Sequence, residues 1–160
     1  MIDIINKLYE YTEKVTPLKA DCGNICSAKC CHGNCDDGML LLPGEEKLFE
    51  NNPDFTIYYD ERYECKTVTC NGKCNRKDRP FACRIFPYMI YAEKGSGKCT
   101  VAPDIRAIDY CSLLIDKYDI DRKFLRSLRI CANKISTDEE MLAYFCKITE
   151  ILTDFNGIDV

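Results

Sequence analysis

The 160-residue sequence contains no tryptophan, one histidine (His32) and no pair of cysteines spaced C-x2-C. The missing C-x2-C excludes zinc ribbons, thioredoxin-like motifs and the bacterial ferredoxin run. A single histidine points any metal site towards all-thiolate coordination. No apolar run approaches the length of a membrane span. The first ten residues, Met1 to Glu10, lack the basic start and apolar core of a signal peptide. Neither sign of charge dominates, since 22 basic and 26 acidic residues leave a net charge of −4. That balance favours solubility and argues against bulk nucleic-acid binding. Glycine-rich phosphate loops, recognisable catalytic carboxylate pairs and internal repeats are likewise absent.

Cysteine, by contrast, is abundant, at thirteen residues. An odd number cannot pair fully within one chain, and the amino terminus gives no secretory signal, so a disulfide-rich domain ranks last among the readings. The expected compartment is a reducing cytoplasm, where clustered thiols serve as metal ligands.

Composition divides the chain into three zones. Residues 1–18 predict an amphipathic helix, with Ile4, Leu8, Tyr11 and Val15 on one face and Pro17 near its end. Residues 20–103 hold ten cysteines and most of the glycine and proline, which predicts loops. A helix is expected after Pro43 and Gly44, where Glu45 and Glu46 suit a helix start. Short strands are expected at 56–59 and 89–91, and a hairpin-like turn at Gly95 to Gly97. Residues 104–157 predict three helices. Ile105, Ile108, Cys111, Ile115 and Tyr118 form the first stripe. Phe124, Leu128, Cys131 and Ile135 form the second, capped by Asp121. The third carries Met141, Phe145, Ile148, Leu152 and Phe155. Ser136 and Thr137 precede it at capping-box spacing from Glu139 and Glu140, and Gly157 follows it as a stop. The expected fold is mainly α with irregular cysteine-rich loops and a few short strands, a small α+β domain organised by metal. Residues 1–160 are expected to form one domain, with 104–157 packed on a metal-binding core at 20–111.

The first cysteine cluster is Cys22-x3-Cys26-x3-Cys30-Cys31, with Cys35 after it. Its surroundings are too polar to form an apolar core, which favours ligation over burial. The second is Cys65-x4-Cys70-x3-Cys74-x8-Cys83. Around it lie Lys73, Arg76, Lys77, Arg79 and Arg84, cations that stabilise thiolate charge, although Lys73 and Lys77 read as solvated. The plant ferredoxin and radical-SAM spacings are each missed by one residue.

These clusters, the segment Leu41-Leu42-Pro43-Gly44-Glu45-Glu46, and above all Arg79-Pro80-x-x-Cys83-Arg84-x-Phe86-Pro87 resemble the YkgJ-type cysteine-cluster family. That family is described as zinc- or iron-chelating, and one branch is similar to flagellin lysine N-methylases, which are associated with an iron–sulfur cluster. The resemblance covers roughly residues 20–111. Where members usually have Cys-Pro-x-Leu, this chain has Cys65-Lys-Thr-Val, and no methyl-donor site is recognisable, so the methylase activity is not carried across. What the resemblance implies is a ligand set of Cys22, Cys26, Cys30, Cys31, Cys65, Cys74 and Cys83, with Cys111 as an eighth. Such a set suits two four-thiolate sites, or an iron–sulfur cluster (4Fe–4S first) together with Zn2+, or fewer ligands around one ion. Cys35, Cys70 and Cys99 are left open between ligation and packing. Cys131 and Cys146 read as core residues, and His32 as a solvated imidazole.

The basic residues Arg122, Lys123, Arg126, Arg129 and Lys134 read as a solvated helix face. Tyr58, Tyr59, Tyr63, Tyr88 and Tyr91 read as packing rather than a pocket. The functional expectation is a cytoplasmic cysteine-cluster metalloprotein binding an iron–sulfur cluster, zinc or both, with redox-linked activity if iron is present. The alternative is a structural-zinc module for a protein or nucleic-acid partner.

Overall fold

In the computed structural model, residues 2–20, 22–31, 38–72 and 74–156 are described, without the side chains of Phe155 and Asn156. Helix α1 (Ile2–Thr12) buries Ile4, Ile5 and Leu8 and ends before Pro17. Its amphipathic stripe lies against α5 (Arg122–Ile135), where Phe124, Leu128, Cys131 and Ile135 are fully buried. Asp121 caps α5 as expected, its Oδ1 accepting from the Lys123 N–H at 2.9 Å. Helix α6 (Glu139–Asn156) buries Met141, Phe145, Ile148 and Leu152. Its cap is Asp138, which accepts from the Met141 N–H at 3.1 Å. Ser136 and Thr137 instead donate back to the carbonyls of Asn133 and Lys134, so they close α5 rather than open α6. Gly157 and the Phe155 side chain fall outside the described residues.

The expected mainly α fold is corrected by the strands, which give a mixed α+β architecture. Strands β1 (Met39–Leu40), β2 (Phe55–Asp60) and β3 (Cys65–Cys70) form an antiparallel sheet with β3 in the centre. Phe55 lies opposite Cys70, and Asp60 opposite Cys65. Strands β4 (Tyr88–Ala92) and β5 (Cys99–Pro103) pair as a separate hairpin. Its turn carries Gly95 at φ +90° and Gly97 at φ +67°, the left-handed backbone that their lack of Cβ permits. Strand β3 escaped the sequence reading because both its ends are cysteines in a presumed ligand loop. Its Thr67 and Val68 are nonetheless buried on opposite faces, as a central strand requires.

Two expected helices are also absent. Residues 45–48 make only a 3₁₀ turn. Residues 105–118 break into a 3₁₀ turn at 105–107 and a single helical turn, α4 (Ser112–Ile115). Cys111, between them, has extended backbone (φ −84°, ψ 117°). The supposed apolar stripe is therefore never assembled, and Ile108, Ile115 and Tyr118 remain exposed. Two further short helices, α2 (Gly23–Cys26) and α3 (Phe81–Ile85), matter for the cysteines they carry. Among the described residues no helix is long and apolar enough to cross a membrane.

Candidate metal centre

The loop between β3 and α3 is built by polar contacts. Asn71 donates from Nδ2 to Asp54 Oδ1 at 2.8 Å, and Gly72 turns the chain at φ +79°. Arg84 is 2% exposed and its guanidinium serves the backbone, with Nε donating to the Arg79 carbonyl at 2.7 Å and a terminal nitrogen to that of Lys77 at 2.5 Å. Arg76 reaches the carbonyls of Thr12 and Val15, tying the loop to the end of α1.

Beneath this loop lies Glu45, whose side chain has no exposed surface. Its Oε1 accepts from Tyr9 Oη at 2.5 Å and from the Phe81 N–H at 2.6 Å. Its Oε2 accepts from the Leu42 N–H at 2.7 Å. One carboxyl thus joins α1, the segment after β1, and the first residue of α3. Burial holds this carboxyl above the ordinary carboxylate range, against the pull of its three donors and of Arg84. The Arg84 guanidinium stacks 4.0 Å from the Tyr9 ring centroid.

The consequence is a convergence of thiols. Cys70 ends β3, Cys74 sits in the loop, Cys83 is carried by α3, and Cys30 and Cys31 come from a 3₁₀ turn. All five line one open cavity of about 320 Å³, together with Arg79 and the apolar rings of Phe55 and Phe86. Arg79 donates a hydrogen bond to the Cys74 sulfur, which partly offsets the upward push of burial on that thiol. Cys83 is driven well above the ordinary thiol range by burial first, and then by the neighbouring Cys74, Cys31 and Cys70. Raised in this way, the Cys74 and Cys83 thiols hold their protons more firmly than an ordinary cysteine, and a coordinating cation would displace them.

A second group adjoins the first through Cys30 and Cys31. Cys22 caps α2 and Cys26 ends it, which places them one helical turn apart. The Cys26 thiol leans on the Cys22 carbonyl at 3.9 Å. Ser27 and Ala28 both take left-handed backbone, at φ 52° and 53°, and turn the chain back so that Cys30 follows Cys22 and Cys26 closely. Cys30 is pushed up chiefly by its hydrogen bond with Cys31, then by burial and by Cys22 and Cys26. Cys111 follows Tyr110 in the chain, and its thiol is raised chiefly by burial, with a small further push from the nearby Cys26. Tyr110 clamps the segments together, donating to the Lys29 carbonyl while Lys29 Nζ lies 4.7 Å from its ring centroid.

Of the expected ligands, Cys22, Cys26, Cys30, Cys31, Cys74, Cys83 and Cys111 therefore fall into two adjoining groups. Cys65 does not join them. It sits at the far end of β3 from Cys70, five residues and about 17 Å along an extended strand. There Tyr144 Oη donates to its sulfur at 3.9 Å, and the site opens onto Glu46, Glu64 and Lys66 rather than other thiols. Cys70 takes the place expected of Cys65, and its position at a strand end beside Asn71-Gly72 was the available signal. His32, Cys35 and Lys73 lie outside the described residues. Cys99 belongs to β5 instead, and Cys131 is buried in the core while Cys146 is half-buried. The role of Glu45 as a backbone support was missed because its donors Tyr9 and Phe81 are each 36 residues away, and that of Arg84 because it was read only as a cation near the thiols. Among the described residues, no group of three or more His, Cys, Asp or Glu side chains is placed so that it could hold a metal ion as it stands; the thiols wall an open cavity. Lys77 and most of the α5 cations are exposed, as a solvated face requires, and no tyrosine lines the thiol cavity. No protein-family model, curated protein or solved structure matches the chain.

Proposed function

We propose that the chain is a thiolate metalloprotein of a reducing, cytoplasmic compartment, holding an iron–sulfur cluster on Cys31, Cys70, Cys74 and Cys83. Cys22, Cys26, Cys30 and Cys111 supply a second, zinc-type site beside it. The observation that carries this reading is the gathering of five cysteines from three chain segments around one cavity. Four thiolates can hold either zinc or a cluster, so the ligands alone do not choose. The open cavity of about 320 Å³ has room for a cluster as well as for a single tetrahedral zinc with sulfurs at about 2.3 Å. Arg79, bonded to Cys74, offsets the negative charge of a four-thiolate site. The resemblance to the zinc- or iron-chelating YkgJ-type family supports metal binding without choosing the metal, and the proposed set departs from its pattern in taking Cys70 for Cys65. A bound cluster would supply one-electron redox chemistry, with electrons passed to or from a protein partner.

Anaerobic purification of the full chain, followed by iron, zinc and acid-labile sulfide analysis and visible absorption, tests the proposal. Brown protein with iron and sulfide is expected. Colourless protein with stoichiometric zinc would overturn the cluster and leave a structural-zinc module. Metal-free protein with few titratable thiols would overturn metal binding altogether.

A further inference from the structure

Apart from both thiol groups, Cys99 on the β4–β5 hairpin and Cys146 on α6 belong to elements that pack together through β4, and three contacts place the two cysteines in the same region. The Ala92 N–H donates to Thr149 Oγ1 on α6 at 2.9 Å, and Ala92 is the direct ladder partner of Cys99. Lys94 Nζ pairs with Glu150 at 2.8 Å. A Cβ built on Gly97, two residues before Cys99, would lie 3.6 Å from Leu142 Cδ2. Residues 142, 149 and 150 thus all face this hairpin, and Cys146 stands between them on the same helix, one turn from each side. On the hairpin, Cys99 is flanked by Gly97 along the chain and Ala92 across the ladder. Both cysteines are unbridged and half-buried at the rim of the main core, and the charge of Cys146 adds to the burial that raises the Cys99 thiol.

We infer that Cys99 and Cys146 are a dithiol site for reversible oxidation, forming a disulfide that clips the β4–β5 hairpin to α6. The oxidant is a low-molecular-weight disulfide of the glutathione class. The less deeply buried Cys146 loses its proton, attacks one glutathione sulfur and expels a glutathione thiolate, leaving a mixed disulfide. The Cys99 thiolate then attacks the Cys146 sulfur and expels the second glutathione thiolate. Two protein thiols become one disulfide, one glutathione disulfide becomes two thiols, and the two protons pass to the departing thiolates. The bond closes the chain between residues 99 and 146, including the whole of α5, so it restricts the unfolded state strongly.

The test incubates the anaerobically purified full chain with oxidised glutathione, blocks remaining thiols, and maps disulfides by mass spectrometry. A peptide linking Cys99 to Cys146 is expected, reversed by dithiothreitol. The melting temperature of the oxidised chain should rise by about 10 °C, a gain absent from Cys99→Ser and from Cys146→Ser. Recovery of both cysteines as alkylated thiols, or as separate glutathione adducts, would overturn the inference, since the two sulfurs would then be unable to reach each other. Neither result depends on which metal the chain holds.

Discussion

Substitution of Glu45 is the sharpest probe of how the proposed metal centre is held. In Glu45→Ala the N–H groups of Phe81 and Leu42 and the Tyr9 hydroxyl lose their acceptor inside the protein. A buried donor left unsatisfied costs about 1–3 kcal/mol. Two backbone donors, with Tyr9 able to recover, give a loss of about 2–6 kcal/mol, a large share of an ordinary domain's stability. Glu45→Gln keeps the shape and can accept from Tyr9 and Phe81 through its carbonyl, but its amide then meets the Leu42 N–H donor to donor. One unsatisfied donor puts its loss at about 1–3 kcal/mol. Because Phe81 opens the helix that carries Cys83, both variants should also bind less metal. Urea unfolding of the full chain gives the first quantity, and metal content after gel filtration the second. A Glu45→Ala chain that loses under about 1 kcal/mol and keeps its full metal content would refute the argument.

Further outcomes follow from the same geometry. Cys70→Ser and Cys83→Ser should each lower metal stoichiometry, whereas Cys65→Ser should leave it unchanged, as measured by elemental analysis of folded protein; equal loss in all three would contradict the separation of Cys65. Cys131→Ser places a hydroxyl in an apolar site where burial pushes the native thiol up to about 12; it should cost about 1–2 kcal/mol in urea unfolding and retain metal. The Arg62 guanidinium, hydrogen-bonded to Asp60, holds that carboxyl below the usual carboxylate range. Its folded pKa being depressed, the stability it contributes is present above the unfolded value and lost as pH falls through the folded one. Thermal melts should therefore show Asp60→Asn slightly less stable than wild type at pH 7, by under about 1 kcal/mol because Arg62 is half exposed, with the gap closing as the pH falls below the ordinary carboxylate range.

How much of this was legible in the sequence depended on the range of the interactions. The stripes of α1, α5 and α6 were readable because each helix buries one face at its own period, as Phe124, Leu128, Cys131 and Ile135 do. Asp121 was readable as a cap because its partner Lys123 is two residues away. The segment 105–118 has the same apolar period, yet the Asp104 side chain draws the Arg106 N–H into a tight turn and Cys111 is extended. Local polar geometry there prevails over a pattern with nothing to pack against. Of the eight cysteines expected as ligands, Cys65 stands apart from the others for a related reason. Counting residues between cysteines treats the chain as a loop, and β3 is a strand that carries Cys65 and Cys70 to opposite ends. The carboxyl of Glu45 was invisible because its partners Tyr9 and Phe81 are each 36 residues distant.

X-ray absorption at the iron and zinc edges of the anaerobically prepared chain tests the central claim most directly. The account predicts a first shell of sulfur only, with iron neighbours beyond it at the iron edge, and loss of the iron signal in Cys70→Ser and Cys83→Ser. A first shell dominated by nitrogen or oxygen, or an iron signal unchanged in both variants, would contradict it.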